Sequence, residues 1–231
     1  VEIKGLEKFA PKDFPGFISS TVFLPGCNFR CAFCHNAELV LAPEGLATIP
    51  MDFFIAYLDS RKGWLEGICV SGGEPLLAPD IEEFLAVLKE RDLRVKIDTN
   101  GSLPERLGSA VRAGLVDSVA LDVKAPPGRY GEVARAAVDP AAIERSARLL
   151  RDSGVEHVLR TTIVPDLVGP RDVLGIGEWL RGAPVYQIQQ FSPIGVADAA
   201  LSARKPFIPD EILAMADSVR PYFDKVLVEG I

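Results

Sequence analysis

Apolar positions along this chain follow two alternating patterns. Short runs rich in β-branched residues, closed by Gly, Pro, Asp or Asn, alternate with longer stretches where apolar residues recur at three- and four-residue steps. The short runs FISSTVFL (17–24), GICVSGG (67–73), LRVKIDTNG (93–101), DSVALDVKAP (117–126), VEHVLRTTIV (155–164), PVYQIQQF (184–191) and DKVLVEG (224–230) predict strands. The longer stretches predict helices over 51–61, 80–91, 104–114, 139–154, 172–182 and 210–223. Asp80 stands where the second of these needs an N-cap, and the third has Pro near its start and Gly after its end. Strands and helices alternating at this spacing imply parallel strands joined by right-handed crossovers. A single α/β domain over 1–231 is expected. An incomplete TIM-type β/α barrel of about six strands fits the count, as does a doubly wound sheet; the partial barrel is the fold class we expect.

The polar motifs cluster at the C-terminal ends of these runs: a cysteine loop (26–36), SGGEP (71–75), DTNG (98–101), DVK (122–124), RTT (160–162) and QQF (189–191). Either architecture binds ligands at that edge, so the motifs point to one composite site.

Composition narrows the partners. The 231 residues are 48% hydrophobic with a formal net charge of −7. There is no basic tract for nucleic acid or an anionic membrane. No apolar run has membrane-spanning length, and the opening VEIKGLEKFAPKDFPG does not read as a signal peptide. A cytoplasmic protein is expected. Its thiols are then reduced, and clustered cysteines suit a metal or catalysis better than disulfides.

Three of the four cysteines lie in GCNFRCAFCHN (26–36): Cys27, Cys31 and Cys34. A closed structural zinc site takes four ligands. His35 adjoins Cys34 and cannot easily share its metal. Cys69 and His157 lie inside apolar strand runs and read as core residues. Three thiolates on a short loop can hold three corners of a cubane iron–sulfur cluster and leave the fourth iron open for a small molecule. Zinc with a distant fourth ligand is the alternative, but such sites favour paired CxxC knuckles.

The spacing CxxxCxxC with Phe33 before the last cysteine resembles the radical S-adenosylmethionine superfamily. DFPG (13–16), CHN (34–36), SGGEP, DTNG and LDVKAP (121–126) extend the likeness to the glycyl-radical-enzyme activating enzymes. Within these, the chain looks most like the longer form of the anaerobic ribonucleoside-triphosphate reductase activating protein. The resemblance implies a 4Fe–4S cluster on Cys27, Cys31 and Cys34, with S-adenosylmethionine on the open iron. Reductive cleavage of S-adenosylmethionine then yields a 5′-deoxyadenosyl radical that takes hydrogen from a backbone glycine of a partner enzyme. With no second cysteine cluster after 69, the electron is expected from flavodoxin or ferredoxin. Two other readings are a radical enzyme acting on a small molecule or RNA, and a non-enzymatic metal- or cluster-binding protein.

Each motif has an expected role. By resemblance, Phe33 and the backbone of Cys34 and His35 cradle the adenine. Ser71, Gly72 and Gly73 let backbone approach a ligand, and Glu74 offers an acceptor to the methionyl ammonium. Asp98, a buried acid in need of a partner, is a cofactor contact; Thr99 and Asn100 can orient ribose or peptide groups, and Asp98 and Thr99 can supply oxygens to a monovalent cation. Asp122 and Lys124, two residues apart, share a face opposite Leu121 and Val123. An inward Lys needs a partner, either Asp122 or the cofactor carboxylate. Arg160 and Thr162 repeat this spacing, and Gln189, with Gln187 and Gln190, closes the nucleotide pocket. At this last strand the sequence departs from the family, which tends to carry a basic residue or His there.

Overall fold

The computed structural model describes residues 1–230. The chain forms two compact units. The first holds Val1–Asn28, Asn36–Thr99 and Glu105–Val119; the second holds Phe29–His35, Asn100–Pro104 and the chain from Ala120 onward.

In chain order the first unit contains β1 (Gly5–Glu7), β2 (Ser19–Leu24), α1 (Ala37–Leu41), α2 (Met51–Ser60), β3 (Gly67–Gly72), α3 (Ile81–Lys89), β4 (Arg94–Thr99) and all but the first residue of α4 (Pro104–Arg112). β1 runs antiparallel to β2, while β2, β3 and β4 pair in parallel. The register sets Thr21 beside Cys69 and Cys69 beside Lys96. In α3, Ile81, Phe84, Leu85 and Leu88 are buried. They repeat at the spacing of one helix face, and each contributes roughly 1.5–3 kcal/mol by leaving water. Asp80 does sit at the N-cap of α3, but its side chain caps nothing there.

β5 (Ser118–Asp122) begins in the first unit and continues into the second. The sequence run predicts it to residue 126. It stops at Asp122, just ahead of Pro126 and Pro127, which cannot donate to a ladder. Lys124 therefore lies just past the strand.

The second unit continues with α5 (Tyr130–Ala134), α6 (Pro140–Ser153), β6 (Glu156–Ile163), α7 (Pro170–Trp179), β7 (Val185–Gln190), α8 (Pro209–Val219) and β8 (Lys225–Glu229). β6, β7 and β8 pair in parallel. The longer helices α6, α7 and α8 all open on Pro, whose missing N–H is no loss there. Asp139 accepts from Ala141 N at 3.0 Å to cap α6, and Gly154 closes it with φ 74. β6 alternates: His157, Leu159, Thr161 and Ile163 are buried, while Val158, Arg160 and Thr162 are half-buried. His157 is thus a packed residue whose Nδ1–H donates to the Val155 carbonyl at 2.8 Å.

Among the described residues there are eight strands rather than about six. Every strand but β1 falls on a run marked in the sequence. β1 has three residues, too few to show alternation. No helix among the described residues is long and apolar enough to cross a membrane.

Candidate active site

In the first unit the start of the cysteine loop is tied to the SGGEP turn by backbone. Gly73 N donates to Leu24 O at 2.9 Å, Glu74 N to Gly26 O at 2.8 Å, and Gly26 N to Leu39 O at 2.8 Å. The two strand ends meet so closely that side chains have no room. A Cβ on Gly72, which has φ +121, falls 2.2 Å from Leu24 O, and a Cβ on Gly73 falls 1.8 Å from Gly26 O. The double glycine lets one protein backbone approach another, here the residue preceding Cys27. Asn36, which closes the loop, donates Nδ2 to Gly72 O at 2.7 Å. Ser71 stands half-buried opposite Phe23. The DFPG segment is a brace: Asp13 accepts from Thr21 Oγ1 at 2.5 Å.

Glu74 is 1% exposed. Its Oε1 accepts from Thr99 Oγ1 at 2.8 Å and from Leu76 N at 3.1 Å. The carboxylate thus locks its own turn to the end of β4. Asp98 points the other way along β4, where it pairs with the Lys96 ammonium. Cys69 is fully buried, as expected, and contacts both.

In the second unit the rest of the loop rests on α5. Arg30 N donates to Ala134 O at 2.8 Å, and Phe29 packs edge-on against Tyr130 with centroids 6.2 Å apart. The segment after β7 holds it from another side: Ala197 N donates to Cys34 O and Asp198 N to Ala32 O, both at 2.9 Å, and His35 Nε2 meets Ser192 O at 3.1 Å. Phe33 is buried, with Lys124 Nζ 6.0 Å from its ring centroid. Cys31 is 7% exposed, while Cys27 and Cys34 are half-buried; the four cysteines form no disulfide.

Asp122, Lys124 and Arg160 form a charged network in this unit. Arg160 Nε donates to Asp122 Oδ1 at 2.6 Å, and Lys124 Nζ to Oδ2 at 3.1 Å. The buried Tyr130 hydroxyl accepts from Lys124 N at 3.2 Å. Burial opposes the Asp122 charge, but Arg160 and Lys124 outweigh it and hold the carboxyl well below the usual range. Burial likewise opposes the Lys124 charge, and Asp122, then Cys31, hold it above its ordinary value. Thr162 and Gln189 are register partners on β6 and β7. Gln187 donates to Glu229, and Gln190 Nε2 to Phe207 O at 2.6 Å.

The network makes a pH prediction. A carboxyl depressed on folding stabilises above its unfolded value of 3.8 and loses that stabilisation as pH falls through and below it. Asp122→Asn leaves two cations side by side, and is expected to cost about 2–3 kcal/mol at pH 7, below the fully buried range because the group is partly exposed. The difference from wild type should stay flat from pH 5 to 8 and shrink below about pH 4. Thermal unfolding across pH measures it; a difference that grows on acidification would contradict the assignment.

Sequence reasoning overlooked Asn36, Lys96, Tyr130 and the 192–198 segment. Lys96 was findable: it stands two residues before Asp98, the same spacing that flagged Asp122 and Lys124. Asn36 stands in the CHN motif and acts through its side-chain amide, whereas Tyr130 and the 192–198 segment hold the loop through ring and backbone contacts with no sequence signature.

Comparison with known proteins agrees with this layout. Residues 21–171 match the Radical SAM superfamily. A candidate glycyl-radical enzyme activating enzyme of Methanocaldococcus jannaschii is 29% identical over 99% of this chain and 96% of its own. A pyruvate formate-lyase-activating enzyme of Listeria monocytogenes is 30% identical over 79% of this chain and 77% of its own. Streptococcus suis SuiB, solved with S-adenosylmethionine bound, aligns with a TM-score of 0.68 at 15% identity, over 91% of this chain and 52% of SuiB. This chain thus spans about half the length of SuiB, and the likeness speaks to fold. The fold class is α/β of the partial TIM-barrel type. The donor set fits the family's cofactors: thiols held outside any disulfide on a braced loop suit a 4Fe–4S cluster, and a fixed cation–carboxylate network suits the zwitterionic end of S-adenosylmethionine. The chain belongs to the radical S-adenosylmethionine superfamily, as an enzyme of the glycyl-radical-activating family that uses a 4Fe–4S cluster and S-adenosylmethionine.

Proposed function

We propose that this protein activates an anaerobic ribonucleoside-triphosphate reductase, or a related glycyl radical enzyme, by removing hydrogen from a backbone glycine of that partner. The observation that carries this reading is the similarity to the M. jannaschii protein, which extends over 99% of this chain and 96% of its own. Cys27, Cys31 and Cys34 would hold the 4Fe–4S cluster, and S-adenosylmethionine would bind beside it. When bound, the two cofactors supply a 5′-deoxyadenosyl radical. The chain's own part is placement. Lys124 and Arg160, fixed by Asp122, would bind the methionyl carboxylate. Phe33, Cys34 and His35 would hold the adenine, and Ser71 to Glu74 the amine. Asp98, Thr99, Thr162 and Gln189 would hold the ribose. Flavodoxin or ferredoxin delivers the electron in the cytoplasm.

The test pairs anaerobically reconstituted enzyme, reductant and S-adenosylmethionine with a candidate ribonucleotide reductase. A stable glycyl radical signal by electron paramagnetic resonance is expected, with 5′-deoxyadenosine released in step. Release of 5′-deoxyadenosine with a radical on no glycyl radical enzyme tried, but with turnover of a small molecule or RNA, would overturn the partner assignment.

A further inference from the structure

β3 and β4 bring together Asp98 and two side chains, Cys69 and Lys96, that have no assigned part in holding the cofactors. Cys69 and Lys96 are register partners, and Asp98 lies two residues beyond Lys96 on the same face. The Lys96 ammonium pairs with the Asp98 carboxylate. Lys96 Nζ donates to Cys69 Sγ at 3.6 Å, and Cys69 Sγ lies 3.6 Å from Asp98 Oδ1. Lys96 is 5% exposed and Cys69 0%. An ammonium this deep is costly unless a carboxylate and hydrogen-bond acceptors match it, and here both do.

From the sequence, Asp98 and Thr99 were candidate oxygen ligands for a monovalent cation. The structure does not fit that ion. Successive residues of a strand project to opposite faces. Asp98 turns to Lys96 and Thr99 donates to Glu74, so their side chains do not converge. A metal ion added at Asp98 would also stand against the buried Lys96 ammonium, and like charges at that range repel. We propose that Lys96 is a built-in cation: its tethered ammonium takes the place of a monovalent metal ion at Asp98, and the enzyme works without one. Asp98 then keeps its position whatever alkali cation the medium holds.

The test exchanges K⁺ and Na⁺ for tetramethylammonium at constant ionic strength, using cluster-loaded enzyme. Wild type is expected to keep its unfolding temperature, and its affinity for S-adenosylmethionine within about twofold. Lys96→Met should acquire a dependence: K⁺ or Na⁺ raises its unfolding temperature and tightens S-adenosylmethionine binding about fivefold or more. Lys96→Arg, which keeps the charge, should remain independent. A wild type that gains stability or affinity on adding K⁺ or Na⁺ overturns the proposal and needs no variant to do so. A folded Lys96→Met indifferent to all three cations overturns it as well. Neither readout involves the partner glycine, so the outcome is separate from that of the radical transfer assay.

Discussion

Cys27→Ala, Cys31→Ala and Cys34→Ala are each expected to lose the brown cluster absorption and 5′-deoxyadenosine release under dithionite, whereas Cys69→Ala keeps both. The three loop thiols sit on a segment whose backbone is held from several sides: by the SGGEP turn at Gly26, by α5 at Arg30, and by the 192–198 segment at Ala32 and Cys34. A loop so fixed cannot swing a substitute ligand into place. Losing one of only three protein ligands should therefore exceed the roughly 10–100-fold effect of removing an outer partner of a metal site. Wild type should bind about four irons per chain, as a cubane on three cysteines requires. Cys69 sits in the interior of β3 beside Lys96 and Asp98. Truncating it removes one small buried group, for about 1 kcal/mol. Equal loss of iron at Cys69 would show that the ligand set is misassigned, and a colourless protein holding a single zinc would remove the radical mechanism altogether.

What the sequence reveals follows from where the energy resides. β3, β4, β6 and β7 were legible because a buried parallel strand must be apolar over its length and must end in residues that release the chain. GICVSGG meets both conditions; in LRVKIDTNG, Leu93, Val95 and Ile97 alternate with polar residues before a similar ending. α5 was not legible. It spans five residues and is fixed by the Tyr130 ring against Phe29 and Trp179 rather than by any periodicity. Asp80 holds the N-cap position, but N-cap preference is a local tendency and its side chain makes no capping hydrogen bond there. Roles at the site divide the same way. Asp122 with Lys124 could be read from same-face spacing. The work of the double glycine could not, because the backbone it meets at Gly26 lies almost fifty positions earlier.

That close approach sets the second large expected effect. Gly73→Ala should unfold earlier than wild type and fail to hold a full cluster. The new Cβ would stand 1.8 Å from Gly26 O, which is backbone and has no rotamer to change. One chain segment must move. The movement breaks Glu74 N to Gly26 O and strains Gly73 N to Leu24 O. Overpacking at about 1–3 kcal/mol together with about 1 kcal/mol for a lost hydrogen bond gives roughly 2–4 kcal/mol. In a chain of this size that is about 5–15 °C in Tm. The displaced residue immediately precedes Cys27, so iron content and S-adenosylmethionine cleavage should fall together with stability. Gly45→Ala is the control. A methyl group added at Gly45 meets no atom within 4 Å, and the residue has no left-handed φ, so alanine there should leave Tm and iron content unchanged. A Gly73→Ala protein with wild-type Tm and four irons would mean that the turn and the cysteine loop are not held together as described, and that the glycines serve the ligand alone.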